Sequence, residues 1–278
     1  MRRSPLFFAL VALCLTALAQ PPQARAEKVD LELVLAADGS GSIDDDELRL
    51  QREGYAAAIT HPKILDAIRG GFHQKIAIAY VEWGAPWSQH TIADWTVIDG
   101  PASAAQFAAR LVAAPRMAES YNSISEAIAY SVNLIETNAY DGRRKIIDIS
   151  GDGPQMNGRP LPEAKAMAML ANITINALVV YKPGGVRTGP YGEPLIDHYR
   201  NDVIGGRGAF AHVAEGRDQF APAILKKMIL EIAEAVKREY PPQHGIPPHL
   251  TSPPERGRGT KGNIASGSLS PTNGGEDR

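Results

Sequence analysis

The feature that most constrains this chain is the regular alternation, between about residues 28 and 239, of short apolar runs with helical patterns. Val29 to Ala37 (VDLELVLAA) reads as a strand and Asp45 to Thr60 as a helix. Lys75 to Trp83 (KIAIAYVEW) is a buried strand, and Thr91 to Ile98 returns beside it as an edge. Ser103 to Ala113 and Ser123 to Thr137 follow as helices, then Lys145 to Ser150 (KIIDIS) as a strand and Leu161 to Ala171 as a helix. Ile173 to Tyr181 (ITINALVVY) and the short Ala209 to Val213 complete the strands. Phe220, Ile224, Met228, Ile232 and Val236 recur at helical spacing in a last helix, Phe220 to Val236. Strands separated by helices need right-handed crossovers, which build a mostly parallel sheet covered on both faces. The expected fold class is α/β, doubly wound, with one antiparallel edge strand.

Both ends read differently from this middle. Met1-Arg2-Arg3 precedes an apolar run from Leu6 to Ala19 that is too short to span a bilayer. With small residues at Ala17-Leu18-Ala19 and Ala24-Arg25-Ala26, residues 1–26 read as an export leader cleaved after Ala19 or Ala26. The chain's 1 cysteine, Cys14, falls within that leader, and the bulky Leu13 before it does not suit lipoprotein processing. The processed chain is then free of cysteine, which excludes disulfides, thiolate metal ligands and a thiol nucleophile. Residues 240–278 are rich in Pro, Gly and Ser with few aliphatics, a composition expected to remain a disordered tail. A formal net charge of -2 implies no broad basic surface, which argues against nucleic acid or anionic lipid as a partner. The expected location is the periplasm or the exterior, with no stable membrane insertion once the leader is removed. Oligomeric state is not legible.

In open sheets of this kind, ligands bind beyond the carboxyl ends of the strands. After the first strand comes Asp38-Gly39-Ser40-Gly41-Ser42, an Asp-x-Ser-x-Ser spacing. After the central strand KIIDIS comes Gly151-Asp152-Gly153. The insertion from Lys182 to Asp197 emerges at the same edge and reads as a mobile glycine-bearing loop, either a partner contact or plain surface.

Asp-x-Ser-x-Ser after strand one, with Asp-Gly after a later central strand, resembles the metal-ion-dependent adhesion site of von Willebrand factor type A (vWA) domains. Glu82-Trp83 and the segment Arg200-Asn201-Asp202-Val203-Ile204-Gly205-Gly206 further resemble the bacterial DUF1194 branch of that superfamily. The resemblance implies a vWA fold, Rossmann-like in build, over residues 28–239. It implies direct ligation of a cation by Ser40 and Ser42, with Asp38 and Asp152 acting largely through water. The family's third loop offers a Thr, and here Asn122 stands in that slot with Ser123 beside it. A hard cation such as Mg²⁺ prefers about six oxygens near 2.1 Å, and Ca²⁺ or Mn²⁺ suits the same all-oxygen set. Neutral hydroxyl ligands leave such an ion electrophilic, so it draws a carboxylate from a protein partner. Gly39 and Gly41 are expected to free the backbone so that both hydroxyls turn inward.

Plainer readings stand beside these. Ser40, Ser42, Asn122 and Ser123 are all of helix-capping type. The run Asp44-Asp45-Asp46-Glu47 suits a helix start, where the dipole favours negative charge. Trp83, Trp87 and Trp95 are expected in the core or covering the sheet, and the histidines at 61, 73, 90, 198 and 212 show no ligand spacing. No Gly-x-Ser-x-Gly elbow surrounds Ser40, so an enzyme is not expected. The expected function is an exported module that binds a protein through the cation. A serine-dependent hydrolase and a metal-free scaffold with a degenerate site are the alternatives.

Overall fold

The computed structural model describes residues 25–237. The expected leader, up to residue 24, and the Pro/Gly/Ser-rich segment 240–278 lie outside the described residues. The strands are β1 (Glu27–Val29), β2 (Glu32–Asp38), β3 (Ile76–Trp83), β4 (Gln89–Ile98), β5 (Tyr140–Gly142), β6 (Lys145–Gly151), β7 (Thr174–Tyr181) and β8 (Ala211–Glu215). The helices are α1 (Asp45–Ile59), α2 (Pro62–Arg69), α3 (Pro101–Ala113), α4 (Ile124–Glu136), α5 (Leu161–Leu170), α6 (Leu195–His198) and α7 (Arg217–Lys237). Six strands form one sheet in the order β4-β3-β2-β6-β7-β8, parallel except for the antiparallel β3–β4 pair. That is the expected doubly wound α/β architecture.

Why the apolar runs are continuous rather than alternating is plain from burial. Every residue of β2 and β3 is buried, because both faces of a parallel sheet are covered. On one face Leu33, Leu35, Ile78 and Tyr80 pack against Tyr55 and Ile59 of α1, Phe107 of α3, and Ile224 and Met228 of α7. On the other, Val34, Val81, Ile147 and Val179 meet Ile124 and Ile128 of α4, Ala164 of α5 and Tyr199. Burying a side chain of this size contributes about 1.5–3 kcal/mol before entropy is counted. Two such layers hold the sheet from both sides.

Three elements depart from the sequence reading. The first expected strand is two: β1 pairs with β5, and β2 joins the main sheet. The chain bends at Asp30, whose carboxylate accepts the His73 backbone N–H at 2.9 and 3.0 Å and so leaves the ladder. Helix α2 was hidden by its brevity, although Pro62 at its first turn and the buried Ile64, Leu65 and Ile68 are ordinary helix signals. The insertion after β7 is not all loop. Its end folds into α6, continued by a π-helical turn at Tyr199–Val203 that buries Leu195, Tyr199 and Val203.

A charged cluster lies inside the first core. Lys227 of α7 sits 2.5 Å from both Asp148 of β6 and Glu231, and Asn176 donates to Glu231 at 2.8 Å. Lys227, Asp148 and Glu231 are all buried, leaving two acids for one ammonium. Burial, then the Glu231 charge, push Asp148 up to about 7 from its ordinary 3.8. An acid raised on folding binds its proton more tightly when folded, so stability falls as pH rises through the window from about 4 to 7. Replacing Asp148 by Asn removes this contribution. The stability advantage of Asp148→Asn over the natural chain should therefore be larger at pH 8 than at pH 6 by about 1 kcal/mol, a few degrees in chelator-treated thermal melts. An equal offset at both pH values would contradict the assignment.

Candidate metal centre

The sheet register decides where the informative loops meet. β2 and β6 are parallel neighbours with Ala37 opposite Ser150, so the two chains leave the sheet together at Asp38 and Gly151-Asp152. β2 passes to β3 on one side and borders β6 on the other, which makes their carboxyl ends the switch point where open sheets bind ligands.

There Asp38, fully buried, accepts the Ser40 N–H through Oδ1 at 2.9 Å and the Asn122 amide through Oδ2 at 2.7 Å. Ser40 Oγ and Ser42 Oγ are 3.1 Å apart, and Ser42 Oγ donates to Asp152 Oδ1 at 3.0 Å. Asp38, Ser40, Ser42, Asn122 and Asp152 thus form one continuous network drawn from three loops. Asn122 enters it as a donor. Ser123 turns away, donating from Oγ to the Asn157 carbonyl at 2.8 Å.

Helix capping does not account for the serines. The cap of α1 is Asp44, in a reciprocal box with Glu47, as the acidic run suggested. Ser123 occupies the cap position of α4 without a capping hydrogen bond. The glycines also act otherwise than expected, because neither Gly39 nor Gly41 takes a positive φ. Gly39 is required by crowding: a Cβ there would lie 2.8 Å from that of Ala118. At Gly151 a Cβ would come within 2.7 Å of Tyr199 Oη and 3.2 Å of Asp38 Oδ2, so only glycine lets β6 end beside the acid.

Residues the sequence did not advertise hold this arrangement. Arg116 reaches from the α3–α4 connection, and one of its nitrogens donates to the carbonyls of Gly39 at 3.0, Ser40 at 2.9 and Ile43 at 2.8 Å. Gln51 of α1 donates to the Asp38 carbonyl at 2.9 Å, and Tyr199 Oη donates to that of Gly153 at 2.9 Å. Below them the buried Glu82 pairs with Arg52 at 2.7 Å. Arg116 lies in a loop without periodicity, so no pattern points to it. Lys182 was findable, being the first residue past β7. Its ammonium lies 2.8 Å from Asp152 Oδ2 and 3.2 Å from Glu47 Oε2, and donates to the Ser42 carbonyl.

Electrostatically the centre is short of positive charge. Burial, then the Asp152 carboxylate, push Asp38 up to about 7. Burial opposes the Lys182 charge, but its hydrogen bonds to Asp152 and then Glu47 hold it above its ordinary value. Beside the centre a cavity of about 40 Å³ is lined by Asp38, Asp152, Glu47 and Lys182 together with the apolar Ile43, Leu50, Val180 and Phe220; Ser40 and Ser42 do not line it. The oxygens also fit a hard ion. Adjacent ligands of an octahedral site at about 2.1 Å are about 3 Å apart. The Ser40–Ser42 and Ser42–Asp152 separations of 3.1 and 3.0 Å, hydrogen bonds in this structure, have the length of such an edge.

Other candidates resolve differently. His198, buried, accepts the Gln155 N–H at 3.2 Å on Nε2 and lies 2.9 Å from Asp202 through Nδ1. Glu193, His198 and Asp202 bring three possible ligand atoms within 4.8 Å of one another, although the sequence showed no ligand spacing at His198, and both ring nitrogens already have partners in the fold. Trp83 is buried and donates to the Ala36 carbonyl at 3.0 Å. Trp87 is not core: it is 66% exposed, edge-on to Tyr121.

The family model described as "Protein of unknown function (DUF1194)" matches residues 28–236. A search of curated proteins finds no match. Among solved structures, the pilus adhesin SpaC from Lactobacillus rhamnosus GG aligns at TM-score 0.53 and 11% identity, over 74% of this chain and 31% of that one. The vWF domain of the type V pili tip protein Mfa5 from Porphyromonas gingivalis aligns at 0.51 and 12%, over 77% and 98%. Proximal thread matrix protein 1 from the mussel byssus, with a zinc-occupied MIDAS motif, aligns at 0.50 and 10%, over 74% and 46%. This chain therefore spans less than half of the SpaC and byssus structures. No helix among the described residues is long and apolar enough to cross a membrane. This chain has a fold like that of vWA domains and, by the family model that matches it, belongs to the DUF1194 family.

Proposed function

We propose that this protein is an exported binding module that holds a divalent cation, Mg²⁺ or else Ca²⁺ or Mn²⁺, and uses it to engage an acidic side chain of a protein partner. The observation that carries the reading is the hydrogen-bonded run from Ser40 through Ser42 to Asp152, with steps of 3.1 and 3.0 Å, set beside a buried acid. Ser40 and Ser42 would offer neutral oxygens and Asp152 a charged one. Asp38 stands behind them, held by Asn122 and the Ser40 N–H. A bound cation would supply an electrophilic coordination position for the partner's carboxylate.

Support for partner binding comes from the neighbours in fold, which are named as a pilus adhesin, a pilus tip protein and a byssus matrix protein, the last with zinc in its motif. Export, to the periplasm or outside, rests on the leader pattern of residues 1–26. An enzymatic role has no comparable support: Ser40 Oγ pairs with Ser42 Oγ, which donates to Asp152, and among the described residues no imidazole bonds to either hydroxyl.

Calorimetric titration of chelator-treated protein with Mn²⁺ should show one site per chain. Ser40→Ala and Asp152→Asn should each weaken it at least about tenfold, the loss of one ligand of a hard-ion site. Because the ion binds only the folded chain, saturating Mn²⁺ should also raise Tm, and EDTA should reverse the rise. Absence of any ion response in the natural chain would reject the reading. Arg116→Ala frees three carbonyls of the serine loop, so hydrogen exchange at residues 39–43 should quicken and Mn²⁺ affinity fall by about tenfold. Unchanged exchange would show that the loop is held by other means.

A further inference from the structure

The candidate centre contains a positive charge of its own. The Lys182 ammonium contacts Asp152 Oδ2 at 2.8 Å, on the residue whose other oxygen accepts the Ser42 hydroxyl at 3.0 Å, and it also donates to the Ser42 backbone carbonyl. It thus touches two of the three residues proposed to hold the ion, directly or through water. The nearby Arg217 is directed elsewhere, to Asp44 at 2.9 Å and Glu47 at 3.1 Å. A divalent ion seated on Ser40, Ser42 and Asp152 would stand beside this ammonium in a mostly buried place, where like charges repel far more strongly than in water.

The same lysine has a second partner. Glu47 Oε2, at the first turn of α1, lies 3.2 Å from Nζ. The backbone of Lys182 is anchored, since Tyr181 is still paired with Glu215 of β8 and the Lys182 carbonyl accepts the Gly185 N–H at 3.0 Å. Only the side chain needs to move, and Glu47, which also pairs with Arg217, offers it a second carboxylate within reach. We propose that Lys182 is a tethered cation that neutralises Asp152 when no metal is bound, competes with the divalent ion, and withdraws onto Glu47 to admit it.

This inference rests on the cation reading above and deepens it: ion affinity would be set by an internal competitor as well as by the ligands. Two substitutions at the two ends of the lysine's travel should act with opposite sign. Lys182→Met removes the competitor, and Glu47→Gln removes the charge that receives it while keeping the helix cap, since Gln serves there as well as Glu.

The test is Mn²⁺ titration of the full chain and both variants at one fixed pH. If the lysine occupies the centre about nine-tenths of the time, Lys182→Met binds about tenfold tighter than the natural chain, because apparent affinity scales with the competent fraction. Glu47→Gln should bind more weakly than the natural chain. In EDTA, Lys182→Met should melt lower, with Asp152 uncompensated, and gain more in Tm from Mn²⁺ than the natural chain does. If Lys182→Met does not fold, Lys182→Gln gives the same comparison with the hydrogen-bond donor kept. Equal or weaker Mn²⁺ binding by the lysine variant, beside measurable binding by the natural chain, overturns the competitor and leaves the cation site standing. No binding by any of the chains removes the cation site, and the competitor with it.

Discussion

The site depends on the burial of one carboxylate beside another. Asp38 ends β2 and Asp152 follows β6, and because these strands are parallel neighbours in register, their acids cannot be far apart. Burying a charge costs several kcal/mol unless it is paired or bound to metal. The fold therefore has to surround Asp38 with donors, and it does so from the Ser40 backbone, the Asn122 amide and, more distantly, the Asp152 N–H at 3.5 Å. Those donors fix where Ser40 and Ser42 stand. The acid is a positional anchor before it is anything else.

Around that anchor, irregular backbone is held by long side chains rather than by secondary structure. Arg116 gathers three carbonyls of the serine loop, and Arg52 and Glu82 form a buried pair that also engages the Pro115 carbonyl at 2.9 Å. Gly41 donates to the Ser120 carbonyl at 2.5 Å, and Ser120 itself lies at φ 69, a left-handed conformation that only a well-determined neighbourhood sustains. The two loops therefore position each other. Such mutual bracing suits a site whose oxygens must keep separations near 3 Å without help from a helix or strand.

What the sequence made legible follows from periodicity. The sheet could be anticipated because β2, β3, β6 and β7 are buried on both faces, and a parallel sheet covered by helices demands unbroken apolar runs between helical patterns. The break at Asp30 escaped notice because the carboxylate's partner, the His73 backbone, is 43 residues away. The same limit applies at the site. Asp38, Ser40, Ser42 and Asp152 stand next to strands and carry a recognisable spacing, whereas Arg116 acts from a loop and contacts residues 73 to 77 positions earlier. Lys182 has its place after β7 in common with the acids. Its role became visible only when its reach to both Glu47 and Asp152 was known.

The central claim is that the oxygens of these separated turns hold one hard ion, and the most direct measurement is anomalous diffraction from crystals grown in Mn²⁺. The account predicts a single strong peak in contact with Ser40 Oγ, Ser42 Oγ and the Asp152 carboxylate, with the Lys182 ammonium moved toward Glu47. Crystals saturated with Mn²⁺ that show no peak there, and the lysine still seated on Asp152, would contradict it.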